Sequence, residues 1–390
     1  MDLIPYSRQE ISEQDITEVG RVLQSSFLTQ GPEVELFERA LTDRFQVDFA
    51  ICCSSGTAAL HLAYAAIGVK QESFGFVPAV TFSATANAFR YLRAQVIFCD
   101  IDPETGIIDL NSLEKQLVKF RKKSDAICAI SPVSFAGKVA PLEECRKLAD
   151  TFGCSLVEDA SHSAGAYGIG SHDHDDKSIT SKSLDASCMS FHPVKHICAG
   201  EGGAVLTNNE DIARKANRLR THGIVRPHGD DHPTPWLYEQ SELGWNYRLS
   251  DLHSVLGRSQ LSRLDESIAK RKKLALNYTS IFSQEPFRNT FSIPEFENGH
   301  AWHLYIIRFI AKGMRDRAYK FLRSRGVMSQ IHYIPLYKHP YYQHITGGLT
   351  LPGAEKYFDS CLSIPIFPSM REDQQNRVID SLKLFIESEC

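Results

Sequence analysis

The stretch SFHPVKHICAGEGGAVLTNN, Ser190 to Asn209, contains a single lysine, Lys195. An apolar run typical of a strand precedes this lysine, and the glycine cluster that follows it excludes a helix. A solvated surface lysine is one interpretation. A lysine that forms a covalent bond to a ligand is the other, and the residues that could share a site with Lys195 decide between them.

The pattern around this stretch predicts an α/β fold. Phe49 to Val69 has the pattern of a strand, a turn and a helix, and short apolar runs then alternate with helical segments. Such alternation predicts a mostly parallel sheet with helices on both faces. The predicted strands are Gln95 to Cys99, Ala126 to Pro132, Cys154 to Glu158, Ala186 to Phe191 and Gly203 to Thr207.

The pattern changes near residue 256. One long helix from Leu256 to Phe282 is predicted to connect to a smaller α/β lobe. That lobe is predicted to contain strands Trp302 to Ile310 and Met328 to Tyr333, and helices Met314 to Arg325 and Glu372 to Ile386. We therefore expect a large domain with an N-terminal arm over residues 1–255 and a small C-terminal domain over residues 256–390.

The composition excludes several classes of protein. A net charge of -4 over 390 residues gives no field that would attract nucleic acid. The ten cysteines form no CxxC pair, which favours free thiols in a reducing compartment. The N-terminus has no apolar signal core, so a cytoplasmic location is expected. The histidines and aspartates of 170–183 resemble metal ligands, but a flexible surface loop does not converge them, and we predict no metal site.

Three further segments contain residues that could act with Lys195. SSGTAAL, Ser54 to Leu60, places backbone N–H groups and hydroxyls at a helix start, where they would suit a phosphate or simply cap the helix. LVEDASHSAG, Leu156 to Gly165, ends a strand on two acids, where open α/β sheets place ligands and where helix caps are also common. In VTFSATANA, Val80 to Ala88, Phe82 is either a core residue or a ring that stacks on a ligand.

One cofactor would use all four features together. Pyridoxal phosphate has an aldehyde for a lysine, a ring nitrogen for an acid, a phosphate for N–H and hydroxyl donors, and a flat face for an aromatic ring. Each motif is weak by itself. All four together, in this order, favour a pyridoxal phosphate enzyme.

The chain resembles the sugar aminotransferases of the DegT/DnrJ/EryC1/StrS family over almost its whole length. The phrases that carry the resemblance are LTQG (Leu28 to Gly31), SFHPVK (Ser190 to Lys195), EGGAV (Glu201 to Val205), RTHGI (Arg220 to Ile224), LGWNYRLSDLHSVLG (Leu243 to Gly257) and QIHYIPLY (Gln330 to Tyr337). The resemblance implies fold type I of the pyridoxal phosphate enzymes, with a large domain around a mostly parallel sheet and a smaller C-terminal α/β domain.

Four phrases point to the branch of this family that acts in pseudaminic acid biosynthesis. They are ASH after the acid, SFHPVK, AWHLY (Ala301 to Tyr305) and IHYIP (Ile331 to Pro335). That branch aminates C-4 of a UDP-linked 4-keto-6-deoxy sugar, normally with L-glutamate as the amino donor. Because Lys195 is intact, the resemblance favours transamination over the dehydration that some relatives perform with a histidine in its place.

The resemblance also implies a role for individual residues. Lys195 matches the lysine that forms a Schiff base and is the expected catalytic residue, and Asp159 matches the acid that faces the pyridine nitrogen. The other residues expected to bind cofactor are Gly56, Thr57, Phe82, His162, Ser190 and Asn246, of which Asn246 is expected to reach the phosphate of a partner subunit in a homodimer. The residues expected to line the sugar-nucleotide pocket are Tyr6, Thr29, His332 and Tyr333.

Other functions stay open at this point. A sibling aminotransferase acting on a GDP-linked perosamine precursor or a UDP-linked bacillosamine precursor is the nearest alternative. A dinucleotide-dependent dehydrogenase is disfavoured because SSGTAAL lacks the second and third glycines of GxGxxG. A regulator that binds the cofactor without catalysis is disfavoured by the intact Lys195 and Asp159. The basic residues Arg8, Arg226, Arg248 and Lys338 are candidates for binding the diphosphate.

Overall fold

The computed structural model of the chain describes residues 2–121, 126–166, 184–225, 234 and 236–389. The polar segment 170–183 lies outside these residues. The helices are α1 Glu13–Leu23, α2 Pro32–Phe45, α3 Gly56–Ala66, α4 Ser83–Tyr91, α5 Leu110–Arg121, α6 Leu142–Phe152, α7 Glu210–Leu219, α8 Asp251–Leu261, α9 Leu264–Phe282, α10 Met314–Ser324, α11 Pro340–Thr346, α12 Pro352–Ser360 and α13 Glu372–Glu389.

The strands form two larger sheets and a hairpin. They are β1 Phe49–Cys53, β2 Phe74–Pro78, β3 Gln95–Cys99, β4 Cys128–Ile130, β5 Ser155–Asp159, β6 Ala186–Ser190, β7 Gly203–Thr207, β8 Ile224–Val225, β9 Glu239–Gln240, β10 Phe291–Ser292, β11 Tyr305–Phe309 and β12 Cys361–Ile364. The large sheet has the order β1-β7-β6-β5-β4-β2-β3, β10-β11-β12 form the small sheet, and β8 pairs with β9.

The large sheet is mostly parallel, as the alternating pattern predicts. Strands β3, β2, β4, β5 and β6 run parallel, and β7 runs antiparallel to both β6 and β1. The carboxyl ends of β1, β2, β5 and β6 therefore meet at one edge of the sheet. The ends of those strands and the segments that follow them contain the candidate residues Gly56, Thr57, Phe82, Asp159, His162, Ser190 and Lys195.

Apolar residues form separate cores for the two sheets. The large sheet and its helices share a core that includes Phe76, Leu156 and Val205. The small sheet packs with α9, α10 and α13 around a second core that includes Tyr278 and Phe385, and Ile4 from the N-terminal arm also belongs to that core. The arm thus packs against the C-terminal part of the chain.

Two predictions for the C-terminal half are wrong in detail. The single helix predicted from Leu256 to Phe282 is two helices, because Arg263 leaves the helical conformation between α8 and α9. The break lets the Arg263 guanidinium lie 2.6 Å from the buried carboxylate of Asp15. The predicted strand Met328 to Tyr333 forms only the isolated pair Gln330 with Ser363, since the chain then turns away from β12.

Three further observations concern the thiols, the side chains that could hold a metal ion, and the length of the apolar helices. The nine cysteines of the described residues are all buried and free. In the described ranges, no three or more His, Cys, Asp or Glu side chains are arranged to hold a metal ion. No helix within those ranges combines the length and the apolar character that a membrane crossing requires.

Candidate active site

The helix start after β1 forms a narrow cradle. Ser55 caps helix α3, with its side chain accepting a hydrogen bond from Ala58 N at 3.1 Å. A Cβ atom at Gly56 would lie 2.7 Å from Ser190 Cβ, so this position accepts only glycine without a shift of the end of β6. Thr57 lies in the first turn of the same helix. The structure therefore brings Gly56, Thr57 and Ser190 together at the positive end of the helix, which suits a phosphate.

The two acids at the end of β5 face opposite ways, as alternation along a strand requires. Glu158 accepts hydrogen bonds from the Ser134 and Ser187 hydroxyls, and burial raises its pKa to about 7. Asp159 Oδ2 accepts a hydrogen bond from Thr85 Oγ1 at 2.7 Å instead. Asp159 is thus the acid on the side of α4 and Lys195.

Asp159 is held by contacts from two segments. Thr85 lies on α4 and its hydroxyl also lies 2.9 Å from the hydroxyl of Thr81. The second carboxylate oxygen of Asp159 accepts a hydrogen bond from Ser161 N at 3.1 Å. Both Asp159 and Thr85 are buried, so the carboxylate is fixed in one orientation.

Lys195 lies in the turn between β6 and β7, where its backbone N–H donates to His192 O at 2.8 Å. Burial of the ammonium group lowers the pKa of Lys195 to about 8, although the carboxylate of Asp159 opposes the shift. A fraction of the amine is therefore unprotonated near neutral pH. Such an amine can act as a nucleophile and can move a proton.

His162 is a buried histidine close to Lys195. Its Nδ1 accepts a hydrogen bond from Ala136 N at 3.4 Å, which leaves Nε2 to carry the proton. That Nε2 lies 3.4 Å from the hydroxyl of Tyr333. Burial and the nearby charge of Lys195 hold the pKa of His162 well below its usual value. His162 is therefore a neutral hydrogen-bond donor.

Aromatic side chains from separate segments close the site. Phe82 precedes α4 and is 56% exposed, so a face of its ring is free for a ligand. Its ring centroid lies 6.0 Å from that of Tyr333. The ring of His332 lies 5.3 Å from that of Tyr6, and its Nδ1 lies 2.8 Å from Ser363 Oγ. Burial lowers the pKa of His332 to about 3, so this imidazole is neutral.

Two predicted residues lie outside this cluster within one chain. Asn246 is exposed and pairs through its backbone with Thr221. Thr29 is also exposed, and its backbone pairs with Ser250. Their exposure leaves both side chains free to contact a second subunit or a ligand.

Sequence reasoning missed two neighbours of the site. Thr85 lies three residues after Phe82 on α4, and this spacing places both at the start of one helix. His303, in the AWHLY phrase, is buried with its ring centroid 4.3 Å from that of His162. Helix spacing could have identified Thr85, but only the fold shows which acid it contacts.

The arrangement meets the chemical requirements of pyridoxal phosphate. The Gly56 cradle that a Cβ would fill suits the phosphate, and the buried carboxylate of Asp159 suits a protonated ring nitrogen. Lys195 offers an amine whose pKa is already lowered. The residues present therefore fit this cofactor.

Comparisons with known proteins identify relatives of this chain. Residues 9–383 match the model of the DegT/DnrJ/EryC1/StrS aminotransferase family. A protein of Campylobacter jejuni named UDP-4-amino-4,6-dideoxy-N-acetyl-beta-L-altrosamine transaminase is 36% identical over 387 residues, which cover 99% of this chain and 98% of that protein.

Two solved structures are similar along most of the chain. PseC of Helicobacter pylori, an aminotransferase of pseudaminic acid biosynthesis, has a TM-score of 0.89 and 28% identity over 99% of this chain and all of its own. NtdA of Bacillus subtilis, solved with bound PMP, has a TM-score of 0.83 and 26% identity over 97% of this chain and 83% of its own. The chain belongs to the DegT/DnrJ/EryC1/StrS aminotransferase family.

Proposed function

We propose that the chain transfers the amino group of glutamate to C-4 of a UDP-linked 4-keto-6-deoxy-N-acetylhexosamine, with pyridoxal phosphate as cofactor. The product would be UDP-4-amino-4,6-dideoxy-N-acetyl-beta-L-altrosamine. The observation that carries the chemistry is the convergence of Lys195, Asp159 and the Gly56 cradle at one edge of the sheet. The Campylobacter relative, which is similar over its full length, supports the choice of substrate.

The cofactor and Lys195 would have different roles in the reaction. Bound pyridoxal phosphate supplies an aldehyde that takes up amines and a ring that accepts electrons from the carbon that loses a proton. Lys195 would remove the proton from the α carbon of glutamate and later deliver a proton to C-4 of the sugar. A pKa of about 8 suits both tasks near neutral pH.

Other side chains would hold the cofactor in place. Asp159, fixed by Thr85 and Ser161, would face the ring nitrogen and keep it protonated. His162 would donate its Nε2–H toward the oxygen of the ring, and Phe82 would stack on the ring face. Gly56, Thr57 and Ser190 would bind the phosphate.

The complete site would need two subunits. Asn246 is exposed in a single chain, and we propose that Asn246 of the partner subunit contacts the cofactor phosphate in a homodimer. Tyr6, His332 and Tyr333 lie together beside Phe82 and would line the sugar pocket, to which Thr29 would add a hydroxyl. The buried free thiols favour the cytoplasm as the place of action.

The diphosphate would need a cation. Lys338 already pairs with Glu355, and Arg8 stacks over Phe367 beside another cleft. Arg226 lies outside the described residues. Arg248, two residues after Asn246, forms no ion pair within the described part of the chain and is the residue that we propose for this contact.

A two-part experiment tests the proposal. Glutamate alone should convert the protein loaded with pyridoxal phosphate to its pyridoxamine form, with release of 2-oxoglutarate. A panel of UDP- and GDP-linked 4-keto sugars should then show amination of the UDP-linked 4-keto-6-deoxy-N-acetylhexosamine in preference to the others. A preference for a GDP-linked sugar would assign the chain to a sibling activity, and no reaction with glutamate would contradict the proposal.

A further inference from the structure

A second cleft lies beside Lys195 on the side of the N-terminal arm and helices α8 and α9. Its empty volume, open solvent at its mouth included, is about 360 Å³. The enclosed part of the cleft is much smaller, so it suits only a small ion. The polar residues that line this cleft include Arg8, Lys195, His196, Gln260, Arg263 and Arg271.

Arg271 is a buried cation without an acid. Its Nη1 donates to three carbonyl oxygens, those of Trp302, His303 and Ile366, at 3.0 to 3.3 Å. No carboxylate of the described residues pairs with it, and its Nε–H has no acceptor. Burial lowers the pKa of Arg271 to about 10. A buried charge of this kind is costly until an opposite charge approaches it.

Two of the three unpaired polar atoms among the residues that line this cleft are donors. Arg263 pairs with Asp15 through Nη2, but its Nε–H also lacks an acceptor. His196 adds no donor, because its Nε2–H is used by Ala301 O at 2.9 Å and burial lowers its pKa to about 3, and its Nδ1 is the one unpaired acceptor of this lining. Two guanidinium groups of one cleft therefore each keep a buried N–H without an acceptor in the described part of the chain.

The formal charges of the cleft leave a positive surplus. Glu10 lines the cleft but pairs with Lys270 at 3.1 Å. Arg8 is exposed and contacts Ser369 and the ring of Phe367, with no carboxylate partner among the described residues. Arg8 and Arg271 thus remain without an ion pair in the described part of the chain, and so does Lys195 until it is joined to the cofactor.

The cleft is separate from the proposed sugar pocket. Of the residues assigned to catalysis, cofactor or sugar, only Lys195 lines it. We propose that this cleft binds a small oxyanion, a carboxylate or a phosphate, through the guanidinium groups of Arg8, Arg263 and Arg271. The proposal does not depend on which sugar the enzyme aminates.

Calorimetric titration of the protein saturated with pyridoxal phosphate tests the proposal, because the cofactor then fills its own phosphate site. Inorganic phosphate and acetate are the two probes, because neither is a substrate or product of the proposed reaction. We expect saturable binding of at least one of them, at one site per chain. Tighter binding of acetate identifies a carboxylate source, and tighter binding of phosphate identifies a free phosphate.

Variants of the cleft wall make the test specific. Arg8→Gln should weaken anion binding about tenfold, the effect of losing a charged hydrogen bond, and Arg8→Lys should keep most of it. Ser267→Glu, which adds a carboxylate to the lining, should weaken binding at least as much. Arg288→Gln is the matched control, because Arg288 is exposed, pairs with Glu285 and does not line the cleft.

Three results would overturn the proposal. The first is no saturable binding of either probe. The second is equal affinity in the parent protein, Arg8→Gln and Ser267→Glu. The third is competition by UDP together with an equal loss of UDP affinity in Arg8→Gln, which would make the cleft part of the nucleotide site. Thermal unfolding of each variant shows that the chain is folded before its affinity is compared.

Discussion

The hydroxyl of Thr85 lies 2.7 Å from Oδ2 of Asp159, and both side chains are buried at the edge of the large sheet. This contact joins the start of α4 to the end of β5. Phe82 is the residue just before the same helix. The positions of the acid and of the aromatic ring that would bind one cofactor are therefore linked.

Replacement of Thr85 tests this relationship. Thr85→Val should keep the fold and lower kcat about tenfold or more, since a hydrogen bond to a charged group is worth ~1.5–3 kcal/mol. Thr85→Ser keeps the hydroxyl and should stay close to the parent enzyme. Steady-state kinetics should show the loss in kcat with a smaller change in KM. Equal kinetics for the valine and serine variants would mean that Thr85 only fills space.

The two neighbouring acids should respond differently to removal of their charge. Asp159→Asn should still bind pyridoxal phosphate but lose about a hundredfold or more in kcat, the usual scale for losing a fixed electrostatic contact. Glu158→Gln should keep kcat within about threefold, because Glu158 bonds to Ser134 and Ser187 on the opposite face. Both variants are compared by cofactor titration and single-turnover kinetics. A larger loss in Glu158→Gln than in Asp159→Asn would reverse the assignment.

The sequence predicts the position of the site better than its internal contacts. Asp159 ends β5 and Lys195 follows β6, and the parallel order of these strands brings their ends to one edge. A strand end is visible in a local pattern of apolar residues followed by polar ones. Alternation along β5 then separates Glu158 from Asp159.

Contacts between distant segments could not be predicted in this way. The Thr85 hydroxyl meets a carboxylate seventy-four residues away, and only the folded chain brings the start of α4 to the end of β5. The ion pair of Arg263, at the break between α8 and α9, with Asp15 also joins segments that are far apart in the sequence. No periodic pattern within one segment of the sequence predicts either contact.

The lowered pKa of Lys195 makes a prediction about the stability of the protein without cofactor. Burial disfavours the charged amine in the folded state, so the unfolded chain binds more protons between pH 8 and about 10.5. The free energy of unfolding should therefore gain a contribution from Lys195 as the pH rises through this window. Lys195→Met removes the buried charge and should be more stable than the parent at pH 7, on the order of 2 kcal/mol.

The measurement is urea unfolding of both proteins across this pH range. The advantage of Lys195→Met should shrink as the pH rises above 8. Lys273→Met, on the exposed side of α9, is the control and should show a difference from the parent that does not change with pH in this way. If the stability advantage of Lys195→Met is constant from pH 7 to 10, the folded protein does not bury a charged Lys195. The same variant should have no transaminase activity.

Phe82 and Tyr91 offer a matched pair of exposed aromatic residues at the two ends of α4. Both are 56% exposed, so either can be truncated with little cost to the core. Phe82→Ala should weaken the binding of pyridoxal phosphate about two- to tenfold, the range expected for the loss of an aromatic stacking contact. Tyr91→Ala should leave the affinity unchanged, because Tyr91 contacts His61 at the far end of the helix. Titration of cofactor followed by its absorbance measures both affinities, and an equal loss in the two variants would indicate a general effect on α4 instead of stacking by Phe82.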